Sequence, residues 1–108
     1  MRHDRIGISA GQRLERALLA HAGEGAKILE SREQPWASAT FTGQRHRICL
    51  RLDGVEAHGR ARLLAARLPD VEFALPRLLV ADIMVTACRY DLPEMALLEI
   101  EALTIIED

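Results

Sequence analysis

This chain has little of what usually announces a function. It holds two cysteines, Cys49 and Cys88. They stand far apart and in no metal-like spacing, which excludes a zinc motif and leaves them as free thiols. No apolar run approaches the roughly 18 residues a membrane span needs. The charged start Met1-Arg2-His3-Asp4-Arg5 is followed by no apolar segment, so no signal peptide is expected and the cytoplasm is the expected location. Walker loops, dinucleotide fingerprints and nucleophile elbows are missing. The seven glycines, at 7, 11, 23, 25, 43, 54 and 59, fall at caps and turns. Aromatic residues make up 4% of the chain and the net charge is −2, so there is neither a broad stacking platform nor a basic field for nucleic acid. Lys27 is the single lysine among 14 basic residues. With the abundant alanine, this reads as coding bias in a GC-rich bacterium and carries no functional meaning.

What remains is a chain of 108 residues, one domain's worth, of which 49% are apolar and 28% charged. Both signs of charge are mixed along it, which argues against disorder. The halves differ in sign. Residues 1–54 hold nine basic and six acidic side chains, and residues 55–108 hold five and ten. Oppositely charged halves pair most simply with each other inside the fold.

Ser9 and Gln12 form a capping box pattern. Leu14, Leu18, His21 and Ala22 then share a helical face until Gly23, which predicts a helix over 10–22. Residues 1–8 read as a tail. An extended segment starts near Lys27, and Glu33-Gln34-Pro35 is expected to break it. Alternation resumes at Trp36 and continues to Phe41. Thr42-Gly43-Gln44-Arg45 reads as a tight turn, and His46, Ile48, Leu50 and Leu52 alternate with Arg47, Cys49 and Arg51 on the return strand. Asp53 and Glu56 offer a second capping box, before a helix over 55–68 that Pro69 stops. Two long apolar segments close the chain, joined by Cys88-Arg89-Tyr90-Asp91-Leu92-Pro93-Glu94. The last competes between helix and strand. The alternating, β-branched run Glu99 to Ile106 favours strand.

The order α-β-β-α-β-β predicts an α+β two-layer sandwich. Its four-stranded, mainly antiparallel sheet has order 1-2-4-3, with both helices on one face. The arrangement is a permuted analogue of the ferredoxin-like topology, an analogy that carries no function. In the expected registers, Thr40 faces Arg47, Ser38 faces Cys49 and Trp36 faces Arg51. In the second hairpin, Asp82 faces Glu101 and Met84 faces Glu99. Arg47 and Arg51 then lie beside Glu99 and Glu101 and neutralise them.

Trp36, Arg47, Arg51, Asp82, Met84, Glu99 and Glu101 are thus the candidate ligand- or partner-binding surface. Val80, Met95, Leu97, Leu103 and Ile105, on the same face, are the candidate dimer contacts. So much apolar surface needs a cover, most simply a second copy in a two-fold homodimer. The three carboxylates do not suggest metal, because two arginines beside a flat strand face oppose the several oxygen ligands a hard cation requires. His46 and Cys49 point to opposite faces and cannot form a dyad or share a zinc. His46 is expected to be a partly buried neighbour of Phe41. His21, His58 and His3, together with Arg13, Arg16, Arg60 and Arg67, read as solvated surface, and Cys88 as apolar filler. No catalytic residue and no cofactor is assigned. The expectation is a non-catalytic binding or regulatory module that self-associates through its open sheet face. A small-molecule-binding protein or small enzyme using the polar part of that face is the alternative, with a protein or a small molecule as its partner, and a weak nucleic-acid binder on the first hairpin is a third.

Overall fold

The structure is a computed structural model and describes residues 9–107, so the expected tail and His3 lie outside it. Its elements are α1 (Ala10–Ala22), β1 (Ala26–Ala37), β2 (Thr42–Asp53), α2 (Ala57–Arg67), β3 (Leu78–Leu92) and β4 (Met95–Ile106). The strands form one antiparallel sheet in the order β1-β2-β4-β3. Both helices pack on one face of it, as the α+β sandwich reading requires.

Helix α1 begins as its sequence dictates. The Ser9 hydroxyl accepts from Gln12 N–H, and Gln12 accepts from Ser9 N–H, so two otherwise orphaned donors are satisfied. Leu14 and Leu18 are fully buried against Ile48, Leu50, Leu98 and Ile100. Truncating one such leucine to alanine costs about 2–5 kcal/mol. Helix α2 starts differently from expectation. Glu56 sits in the left-handed region at φ 65°, and no side chain caps the helix. Asp53 takes no part, because its carboxylate accepts from Arg51 Nε at 3.0 Å.

The last segment is a strand. β4 is paired on both sides, to β2 and to β3, so its backbone groups find partners without helix formation. Ala96, Leu98, Ile100, Ala102 and Thr104 face the helices and are buried.

Both hairpins depart from their expected registers. Residues 33–35 do not break β1, which runs through them to Ala37. β1 is an edge strand, where the missing N–H of Pro35 costs no central ladder bond. The turn therefore falls at Ser38–Phe41, where the Ser38 hydroxyl accepts from Phe41 N–H at 3.0 Å. Trp36 lies opposite Gly43, Arg32 opposite Arg47, Glu30 opposite Cys49 and Lys27 opposite Arg51. In the second hairpin, β3 extends to Leu92 and the link shrinks to Pro93-Glu94. Register shifts between Val80 and Asp82 and between Val85 and Ala87 move Asp82 opposite Leu103, Met84 opposite Glu101, and Ala87 opposite Glu99. Each inserted residue reverses the alternation beyond it.

Candidate functional site

The side of the sheet away from the helices has no cover among the described residues. Its centre is a ladder of unlike columns. β2 presents Arg45, Arg47, Cys49 and Arg51. β4 presents Leu97, Glu99, Glu101, Leu103 and Ile105 directly beside them. Arg47 donates to Glu101 at 3.3 Å from the next strand, and Arg32 donates to Glu30 at 2.9 Å on β1. These exposed pairs are each worth a few tenths of a kcal/mol to about 1 kcal/mol, so they organise the surface more than they stabilise the fold. Cys49 sits between Glu30 and Glu99 in the ladder. Partial burial pushes its thiol pKa up, and Glu99 pushes it further in the same direction, so it is a poor nucleophile.

The expected site residues are only partly brought together. Arg47 and Glu101 are direct neighbours, with Met84 beyond Glu101 and Glu99 one rung away. Asp82 is exposed next to Leu103. Arg51 stands apart, opposite Leu97 and paired to Asp53. Trp36 is at the far end, opposite Gly43, which is eight residues from Arg51 along β2, or about 26 Å. Trp36 therefore does not face Arg51, because the hairpin turn lies four residues earlier than its glycine implied.

Among the apolar candidates, Leu97, Leu103 and Ile105 stand on the open face and are partly exposed. Met95 shares their side of β4 but is buried. Val80 does not belong with them. The bulge after it turns its side chain to the helix side, where it packs against the core. Leu79 takes that place on the open face, opposite Ile105 and 46% exposed. Met84 is 47% exposed. No signal in the alternation of β3 marks this exchange, since either phase is equally apolar.

Shallow depressions cross the face, the smallest of these, of ≈ 100 Å³, beside Arg45, Asp82, Met84 and Leu103. One, of ≈ 360 Å³, is lined by Glu30, Arg32, Arg47, Cys49, Thr86, Glu99 and Glu101. Another, of ≈ 440 Å³, runs past Arg32, Gln34, Arg45 and Arg47. These two are open and mostly charged. Among the described residues no group of three His, Cys, Asp or Glu is placed to hold a metal ion, and no helix is long and apolar enough to cross a membrane.

On the helix side, His46 is 1% exposed and lies 2.8 Å from the Thr104 hydroxyl. Its expected partner Phe41 is instead half exposed in the displaced turn. His58 is half-buried, with Nε2 at 2.8 Å from Leu92 O and 3.1 Å from Met95 O, so it ties α2 to the β3–β4 turn. His21 packs edge-on against Phe73. Arg13 and Arg60, read as solvated, reach carbonyls: Arg13 donates to Pro76 O, and Arg60 to Ala22 O and Glu24 O. Arg16 and Arg67 are exposed as expected.

Comparison with protein families, curated proteins and solved structures finds no match to this chain.

Proposed function

We propose that this protein is a non-catalytic binding or regulatory module that works as a homodimer, joined through the open face of its sheet. The observation that carries this reading is the face itself. Leu79, Met84, Leu97, Leu103 and Ile105 lie on one surface that no described element covers, with charges of both signs between them. Four strands spaced by about 4.8 Å and β4's length of about 40 Å give a face on the order of 700 Å². A typical stable interface takes about 800 Å² from each partner.

The sheet edges are poorer joining surfaces. β1 carries Pro35, a register shift at Leu29 and a run of charges, and β3 has three register irregularities. These are devices that discourage strand addition. Catalysis has little support, since the face holds no activated nucleophile. A small polar ligand in the ≈ 360 Å³ depression is the second reading, favoured by Arg32 and Arg47 converging there.

The experiment is the native mass of the purified protein, beside that of a Leu97→Glu, Ile105→Glu variant. The dimer reading expects a two-chain mass for the natural protein and a one-chain mass for the variant with its helical circular dichroism intact. A one-chain natural protein at high concentration overturns it. A mass increment beyond whole chains moves the ligand reading ahead.

A further inference from the structure

We propose that the partner on the open face is a second copy held by a two-fold axis parallel to the strands, running between β2 and β4. This rests on the homodimer reading above and adds its geometry. Two like faces can meet about an axis along the strands or an axis across them. The columns decide between these. An axis across the strands lays β2 on the partner's β2 and β4 on its β4, so the arginine column meets an arginine column. Where such an axis crosses at the Arg47–Glu101 rung, Arg47 meets a second arginine and Glu101 a second glutamate. An axis along the strands between β2 and β4 exchanges the columns, so that each chain's arginines lie over the other chain's glutamates.

The rungs then follow from the register. Arg47 and Glu101 are directly opposite within one chain, so they become a square of four alternating charges about the axis. Arg45 lies over the second copy's Leu103, and Arg51 over its Leu97. The outer strands exchange as well. β1 lies over the second copy's β3, with Trp36, at the level of Gly43 and Ile105, toward the end of that strand that holds the half-exposed Leu79. Packed sheets cross at about 30°, so outer rungs drift apart while those near the axis stay in register. Arg47–Glu101 is such a rung, near the middle of the β2–β4 ladder. Apolar contacts supply most of the affinity. The charges choose the axis, because like charges brought together in an interface are strongly disfavoured.

The test is a charge exchange that leaves the pairing within each chain intact. The double variant Arg47→Glu, Glu101→Arg keeps an opposite pair on the rung. With the axis along the strands it forms its own dimer, within a few-fold of the natural affinity. Mixed with the natural chain it forms fewer heterodimers than random assortment gives, because Arg47 would lie over Arg and Glu101 over Glu. Native mass spectrometry of the re-equilibrated mixture at low salt reads this directly. Heterodimers at or above the random share overturn the axis while leaving the dimer standing. A natural chain that is monomeric overturns the dimer and the axis together. The single variants Arg47→Glu and Glu101→Arg each weaken self-association at least tenfold, and their circular dichroism separates this loss from unfolding.

Discussion

His46 Nε2 lies 2.8 Å from Thr104 Oγ1, between two side chains almost wholly withdrawn from water, one on β2 and one on β4. The Thr104 hydroxyl lies 3.4 Å from Gln44 O, to which it donates. This leaves it accepting from Nε2–H, which places a proton of His46 on Nε2. His46 Nδ1 is buried without a partner among the described residues. A proton added there has no acceptor and must be desolvated. Burial accordingly pushes the His46 pKa below its ordinary value, against the pull of Glu33 and Glu15 in the other direction.

A pH dependence of stability follows. In the unfolded chain the imidazole titrates near 6.5, and in the fold it titrates lower. Between the two values the unfolded chain binds more protons, so stability rises with pH. This contribution is intact above about 6.5 and is lost as pH falls through the folded value. Urea midpoints at pH 5 and pH 8 should fall further for the natural chain than for His46→Gln, which cannot titrate. Equal falls would remove His46 as the cause.

Arg60 should matter far more than Arg67, although they share a helix. Arg60 donates at 3.0 Å to Ala22 O and at 2.6 Å to Glu24 O, so it supplies α1's C-terminal end with a cationic donor. Arg60→Ala is expected to cost about 1–2 kcal/mol in denaturant unfolding. The exposed Arg67→Ala should stay within about 0.5 kcal/mol.

Two glycines should respond with opposite sign. A Cβ on Gly43 would run into the Thr104 backbone carbonyl of β4, and neither strand can step aside without breaking the ladder. Gly43→Ala is expected to cost about 1–3 kcal/mol or more. Gly59, inside α2, has no neighbour closer than Glu56 Oε1 at 3.6 Å. Gly59→Ala should stabilise the protein by up to about 1 kcal/mol, because alanine loses less freedom in a helix. Thermal unfolding of both variants checks the pair.

Glu56 is a left-handed residue with a β-carbon, at φ 65°. Glu56→Gly removes the steric penalty, at the cost of some extra freedom in the unfolded chain. A gain of up to about 1 kcal/mol is expected in the same unfolding assay. A clear loss would mean that the Glu56 side chain contributes more than its backbone costs.

The sequence by itself determined the elements with local causes. Ser9 and Gln12 set the start of α1 because both partners lie within one turn. Alternation ending in Thr104-Ile105-Ile106 made β4 a strand, and its apolar residues on both faces gave it the central place between β2 and β3. The unlike columns of β2 and β4 were likewise legible, including Arg47 beside Glu101. Tertiary structure decided everything that depends on phase. A period of two reads the same from either side, so the bulges in β3 that turn Val80 inward and Leu79 outward left no mark in the alternation. The long edge strand that carries Pro35 past Glu33 and Gln34 depended on where the sheet ends, which no local residue encodes. His46 with Thr104, and Arg60 with the end of α1, are contacts between segments distant in the chain. They exist because backbone pairing and core burial bring those segments together, and only the assembled fold supplies that proximity.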